Sequence, residues 1–326
     1  MKLSISTRAA RAAMFVAVTV RLFLGLAVEL PTTHNGAWIS ALIGALLAAP
    51  WVVCVRYGRS SGLVLIALTA LDAASVLASI TRSTGYLALD RASPWVLTLP
   101  VAAAALWSVW RNGDAIGYAA SIGARLALLL LVIVGLLQAR AFRPAWLAPV
   151  LGSGWPSILE GGIRAAGWIV AVSGILAVAD GDDSPLSRLI PLAGGALAAA
   201  LLLLLSGMIT PTQLGGGWLN RLDDLLCNGR APLYTQLPMI VVWFAGLLHL
   251  LAAQCFACAA LVQLTANLNG KWIGAAVVAA ILLVSRLPAL NEAALWIARW
   301  GFLAAAIPVA AMALLGGGDR KCASGD

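Results

Sequence analysis

The feature that most constrains this chain is a succession of apolar runs, most of them near or above the roughly twenty residues a helix needs to cross a 30 Å hydrocarbon core. They cover about Ala12–Leu30, Trp38–Arg56, Leu63–Leu89, Trp95–Trp110, Ile116–Leu137, Ser157–Ala179, Leu186–Ile209, Leu237–Leu264, Trp272–Val284 and Ala293–Leu315, with the fourth and ninth the shortest. Charged residues make up only 10% of the 326, hydrophobic residues 62%, and the mean hydropathy is +0.95, a balance that a water-soluble domain of this length could not sustain. The chain is therefore predicted to be an all-α integral membrane protein of about ten transmembrane helices.

The runs divide into two sets of five. Arg140 to Pro156 is the longest interruption up to that point and carries Pro144, Pro149 and Pro156. The run that follows is punctuated by Gly161, Gly162, Gly167 and Ser173-Gly174. A Gly-punctuated helix opening the second half of a ten-span protein suits a five-plus-five inverted-repeat transporter fold, in which helices one and six are broken near the bilayer midplane and offer backbone groups to a ligand. The same glycines also suit close packing of unbroken helices. The expected organisation is one transmembrane domain over 1–326: repeat one at about 9–139, an exterior loop at 140–156, repeat two at about 157–316 and a cytoplasmic tail at 317–326.

Charge sets the expected topology. The eight excess positive charges are spread over loops and termini, which argues for membrane orientation and against a nucleic-acid partner. With both ends inside, cytoplasmic segments hold Lys2, Arg8, Arg11, Arg56, Arg59, Arg111, Arg188, Lys271, Arg320 and Lys321, against Arg91, Arg140, Arg143, Arg221, Arg230 and Arg286 on the other side. The basic start MKLSISTRAAR leads into a run that is long and lacks a small-x-small cleavage site, so it reads as a retained first helix. Trp38, Trp51, Trp95, Trp110, Trp272 and Trp296 fall near span ends, as interfacial anchors do.

Two loops stand out. Asp180-Gly-Asp-Asp-Ser-Pro185 reads as a helix start, with Ser184 or Asp183 capping, Pro185 in the first turn and acids at the positive end of the helix dipole. Thr210 to Pro238 is long enough for a short amphipathic surface helix around Trp218 to Leu226.

Charges inside apolar runs are the informative residues, because each is costly in hydrocarbon. Arg21 and Asp72 each lie about nine residues into spans that run outward, so both sit roughly 14 Å deep at 1.5 Å per residue. A buried ion pair between helices one and three is expected. Arg82, Arg164 and Arg299 also fall within runs, where snorkelling to an interface is the alternative, favoured for Arg299; Glu29, Glu160 and Glu292 lie at or near exterior ends. His249, near the middle of the eighth run, reads as a hydrogen-bonded packing residue before a proton carrier.

Catalysis finds no foothold: two histidines, no H-E-x-x-H, no G-x-S-x-G and no phosphate loop. No enzyme activity and no cofactor are expected. Cys255 and Cys258 form a C-x-x-C on one helical face, with His249 the only other plausible ligand nearby, and read as two small buried thiols with no metal site.

Four landmarks carry a family resemblance: Asn35-Gly-Ala-Trp-Ile-Ser-Ala-Leu-Ile-Gly44 opening the second span, Ser93-Pro94-Trp95 opening the fourth, Arg111-Asn112-Gly113 before the fifth, and Leu147-Ala-Pro-Val-Leu-Gly152 before the sixth. In order and spacing they resemble the spore-germination permease family, the B subunits of GerA-type nutrient receptors, up to about residue 210. The resemblance implies the amino acid/polyamine/organocation permease fold, LeuT-like in its five-plus-five repeats. It further implies a permease-like receptor subunit in the spore inner membrane that binds a small germinant such as an amino acid, with A- and C-type receptor subunits as partners. An ion-coupled amino-acid transporter and a structural partner without ligand are the alternatives. Binding is expected between helices one, three, six and eight, at Leu24, Gly25, Ala27, Gly167, Trp168, Ser173, Gly174 and His249. Two departures mark this chain. Where the family has a Gly-x-Gly-like break in helix one it has Leu24-Gly25-Leu26-Ala27, and where the family often has Gly-Glu in helix six it has Val170-Ala171-Val172-Ser173-Gly174.

Overall fold

The computed structural model describes residues 3–26, 35–55, 59–88, 93–111, 113–137, 144–147, 154–180, 184–209, 233–267, 272–287, 289 and 300. Ten α-helices run through them: α1 (Thr7–Leu24), α2 (Ala37–Cys54), α3 (Arg59–Ala88), α4 (Pro94–Arg111), α5 (Gly113–Leu137), α6 (Gly154–Val172), α7 (Gly174–Ala177), α8 (Leu189–Ile209), α9 (Leu233–Ala266) and α10 (Trp272–Val284). Since α6 and α7 are two pieces of one span, these helices account for the first nine apolar runs, and the tenth run lies outside the described residues. So do Ala27, Glu29, Glu292, Arg299, the surface helix expected near Trp218 and nearly all of the Arg140–Gly152 loop, of which Pro144–Leu147 forms a 3₁₀ turn.

Among the described residues, five helices are both long and apolar enough to cross a bilayer, over Ala37–Cys54, Gly62–Thr81, Gly154–Ala177, Leu186–Leu205 and Val241–Ala266. At 1.5 Å per residue, the 34 residues of α9 extend about 51 Å, well beyond a roughly 30 Å core, so α9 crosses at a tilt or projects from it. Side chains divide accordingly. Tyr118, Ile122, Leu126 and Leu129 on α5 and Val96, Leu99 and Trp107 on α4 are exposed, the composition of a surface that meets lipid. The centre is filled by α1, α6 and α9, with Met14, Leu22, Trp168, Ile169 and Phe256 fully buried.

Close helix approach depends on small residues, as expected where packing and not water exclusion holds helices together. The α2–α6 contact is the clearest case. A Cβ added to Gly44 would lie 2.4 Å from Ala165 Cβ and 3.1 Å from the Ala165 and Ala166 backbone, and one on Gly162 would lie 2.5 Å from Ile43 Cγ2. Ser40 completes the seam by donating to the Ile158 carbonyl at 2.9 Å.

The N-terminal segment is tied down rather than trailing. Ile5–Ser6 (β1) pairs in parallel with Ala179–Asp180 (β2), where the chain leaves the sixth span. Leu3 N donates to Gln263 Oε1, Thr7 Oγ1 donates to the Asp180 carbonyl, and Ser6 donates to Asp114 Oδ1 through both its backbone N and its hydroxyl. Those two bonds hold the exposed Asp114 carboxyl, which precedes the fifth apolar run, below its ordinary carboxylate pKa. At the start of the seventh span Ser184 caps the helix, accepting from Ser187 N with Pro185 in the first turn. Arg188 there is buried and donates to the Val55 carbonyl just past the end of α2.

Two sequence expectations change. Trp51 is not an interfacial anchor: it is buried and its indole N–H donates inward. The sixth span begins at Gly154, so Trp155 and Pro156 form its first turn instead of ending the loop.

Gly44→Val should lower the thermal midpoint in detergent by the equivalent of about 1–3 kcal/mol, the usual cost of overpacking. Gly123→Ala, where nothing lies within 4 Å of the added methyl, should leave it unchanged or raise it. Because the Asp114 pKa is depressed on folding, its contribution is present above the unfolded carboxylate value and is lost as pH falls through the folded value. Protection of the Ser6 amide from hydrogen exchange should therefore fall below about pH 4, and Asp114→Asn should remove that pH dependence; protection unchanged by the substitution would mean that Asp114 does not hold the segment.

Candidate functional site

The first and sixth spans both depart from regular helix. Helix α1 ends at Leu24, and Gly25–Leu26 continue it as a wider π turn. The sixth span runs unbroken from Gly154 through Val172, turns at Ser173 and resumes for one short turn, Gly174–Ala177. The interruption expected over Gly167 to Gly174 falls at the far end of that stretch, at Ser173, while Gly167 and Trp168 lie in regular helix.

A break inside a membrane leaves carbonyls that water cannot satisfy, so side chains must do so. Thr69 Oγ1 on α3 donates to the Ala171 carbonyl at 2.8 Å. Ser173 Oγ donates to the Val170 carbonyl at 2.7 Å while accepting from Trp51 Nε1 at 2.9 Å. Gly174 packs against Thr69 Oγ1, where an added Cβ would lie 3.1 Å away. Ser173 and Gly174 thus belong to a polar seam joining α2, α3 and the break.

Deeper among the helices, Arg21 of α1 and Asp72 of α3 form a forked pair. Arg21 Nε lies 2.9 and 3.0 Å from the two Asp72 oxygens and Nη2 lies 2.7 Å from Oδ1, with side-chain exposures of 1% and 7%. Gln254 Nε2 of α9 donates to Asp72 Oδ2 at 2.5 Å. The guanidinium carbon sits 4.6 Å from the centre of the Trp168 ring, a cation–π distance. Helices one, three, six and eight of the span order therefore meet at four side chains. Gly25 lies flat against the same indole, where a Cβ would come within 2.3 Å of Trp168 Cζ3, so no larger residue fits there without moving the ring.

Within this cluster Trp168 Nε1 and Gln254 Oε1 are buried without a hydrogen-bond partner. An unsatisfied buried donor or acceptor costs about 1–3 kcal/mol. Leu24 is wholly buried in the apolar core. His249 stands apart, hydrogen-bonded to the Ala13 backbone, with its Nε2 buried and unpartnered. Arg164 pairs with Glu160 on its own helix at 2.6 Å. Cys255 and Cys258 are free thiols, and the described residues contain no group of three or more His, Cys, Asp or Glu that could hold a metal. Sequence reasoning passed over Gln254 and placed Trp51 at an interface, whereas its indole N–H donates inward to Ser173. An amide within the apolar run of span eight was the available signal for the first.

In overall shape the chain is similar to MhsT in complex with L-phenylalanine, with a TM-score of 0.73 and 15% identity over 97% of this chain and 90% of that one. It is also similar to Mhp1, a nucleobase-cation-symport-1 family transporter in a closed conformation with bromovinylhydantoin bound, with a TM-score of 0.65 and 15% identity over 96% and 79%. No family model and no curated protein matches the chain. The likeness establishes the fold: an all-α integral membrane domain of the LeuT type, about ten transmembrane helices in a five-plus-five inverted repeat with broken first and sixth helices.

Removing one member of the buried pair should cost about 3–5 kcal/mol, because the other charge is left uncompensated. Folded yield in membranes should therefore fall for Arg21→Gln and for Asp72→Asn and recover in part when both are combined. Strictly additive losses would mean that the two side chains are energetically independent.

Proposed function

We propose that this protein is a permease-like receptor subunit that binds a small nutrient such as an amino acid between helices one, three, six and eight and signals germination through A- and C-type partner subunits. The observation that carries the reading is the state of Asp72. Among the described residues it is the one acidic side chain in the buried set, and it is already neutralised by Arg21 and bonded by Gln254. A carboxylate countered from within gives a driving cation no vacant charge to bind, whereas ligand recognition by a receptor needs no driving ion. The ordered landmarks between Asn35 and Gly152 support the germination family, and the transporter fold supports a small-molecule site.

The second reading is an ion-coupled amino-acid transporter, favoured by the likeness to MhsT, a structure that holds L-phenylalanine. A structural partner without ligand is the third. In the receptor reading the protein lies in the spore inner membrane with both termini cytoplasmic and with Arg140–Pro156 and Thr210–Pro238 exterior. Repeat one then spans about 9–139 and repeat two about 157–316.

Reconstituted protein should bind radiolabelled amino acid at equilibrium yet fail to concentrate it inside liposomes under a sodium or proton gradient. Co-expression with A- and C-type subunits should yield a complex that co-purifies. Uphill accumulation would assign the transporter role instead, and labelling of Ser184→Cys from outside the cell would reverse the orientation.

A further inference from the structure

Helix α5 carries another charge at depth, and this one faces outward. Arg125 stands nine residues into the fifth apolar run, Ile116–Leu137, and twelve from its end. Packing fixes its level independently. A Cβ added to Gly113 would lie 2.5 Å from Ile5 Cβ, and one on Gly117 would lie 2.2 Å from Ala9 Cβ, so α1 and α5 start together and run the same way. Arg125 is therefore level with Ala17, one turn or about 6 Å short of the buried Arg21. Unlike Arg21, it is exposed, and among the described residues none forms a hydrogen bond or ion pair with its side chain.

Charged side chains within a bilayer almost always face the bundle interior and pair there. Arg125 departs from that rule, and the chain holds no acid at its depth to counter it. Of the thirteen acidic residues only Asp72 lies deep in an apolar run, and Asp72 is buried against Arg21 and Gln254. Glu29 and Glu160, the two others within runs, lie one and three residues from a run's end, and the tenth run, Ala293–Leu315, contains no acid. Snorkelling does not reach water either: a stem of three methylenes is far shorter than the roughly 14 Å back to Ile116 at 1.5 Å per residue.

The surroundings of Arg125 have the pattern of a helix-packing seam. Tyr118, Ile122, Arg125, Leu129 and Val132 follow the alternating four-and-three spacing of coiled-coil core positions. The four apolar ones are each more than half exposed, on the side of α5 turned away from Gly113 and Gly117. Alongside run Ala115, Ala119 and Gly123, exposed small residues four apart that let another backbone come close; nothing lies within 4 Å of a Cβ added to Gly123. A single polar residue in such a seam sets its register and selects its partner. A second copy of this chain does not fit, because a symmetric contact would set Arg125 against Arg125 while the deep carboxylate of each copy stays buried.

We propose that this face of α5 is the docking surface for a transmembrane helix of a different protein, one that carries a Glu or Asp at mid-membrane depth to pair with Arg125. The carboxylate supplies the missing counter-charge, and the apolar seam and the small residues receive the rest of the helix. The proposal goes beyond the nutrient site and does not rest on it: it holds for a receptor subunit and for a transporter alike.

The test uses the full chain in liposomes at pH 8 with dansyl-labelled, tryptophan-free Leu-Ala transmembrane peptides that carry Glu, Gln or Lys at the centre. Association is read as energy transfer from the protein's tryptophans. The Glu peptide should bind at least about tenfold more tightly than the Gln peptide, and moving its Glu two turns toward either end should abolish the difference. Arg125→Leu should erase the preference, and Arg125→Glu should transfer it to the Lys peptide. Gly123→Leu, at a position where an added Cβ meets nothing in the free chain, should weaken the Glu peptide about tenfold by filling the groove beside the seam. Arg125→Leu should also leave the thermal midpoint of the isolated protein unchanged or raise it, whereas loss of an arginine that braced the fold would lower it. A Glu peptide that binds within about threefold of the Gln peptide would give Arg125 to lipid phosphates and overturn the proposal. So would a preference that survives Arg125→Leu, a lowered midpoint in that variant, or oxidative crosslinking of Ile122→Cys copies to each other beyond that of the native chain, which would assign the seam to a homodimer. If Arg125→Glu does not fold, Arg125→Leu and the displaced-Glu peptides still decide.

Discussion

Everything central in this molecule depends on two opposite charges held together where neither could be tolerated alone. An ion taken from water into hydrocarbon loses solvation that only close, well-aligned partners can replace. Arg21 and Asp72 meet that demand with a forked geometry, a third hydrogen bond from Gln254 and an aromatic face from Trp168. These four side chains come from four different transmembrane spans, so the pair sets the register of helices that otherwise meet through interchangeable apolar surfaces. Small residues let the helices approach; the ion pair determines at which height they do so.

The same demand for internal satisfaction governs the backbone. Within a hydrocarbon core, an interrupted helix is sustainable only if neighbours supply the missing bonds. Around Ser173 they come from Thr69, from Ser173 itself and, at one remove, from Trp51. This explains why the break sits at Ser173 and not at Gly167. Glycine makes unwinding cheap, but at Gly167 a continuous helix keeps all its bonds, whereas at Ser173 a hydroxyl can stand in for a lost one.

How much of this was legible beforehand depended on whether the governing quantity was local. Run length and hydropathy reveal spans because each helix must cross the same thickness, and the described helices follow the apolar runs closely, with α9 extending past its run at both ends. The depths of Arg21 and Asp72 could be compared because rise per residue is constant, and the two side chains do meet. Gln254 was missed because an uncharged amide barely disturbs an apolar run, although its hydrogen bond to Asp72 is central. Trp51 was misplaced because proximity to a span end says nothing about which way an indole faces. The pairing of Ile5–Ser6 with Ala179–Asp180 joins two dipeptides with no strand signature, brought together by the path of the whole chain.

The distinction between receptor and pump then becomes a question of where free energy enters. An ion can drive a conformational change only by binding one state more tightly than the other, whether through a free carboxylate or through carbonyl and hydroxyl oxygens at a helix break. In this structure the buried Asp72 carboxylate is countered by the Arg21 guanidinium and bonded by Gln254. In the proposed receptor reading, what biases the conformational equilibrium is the ligand itself. A modest differential affinity cannot concentrate solute against a gradient, but it suffices to shift a population between two states, which is all that a signal requires.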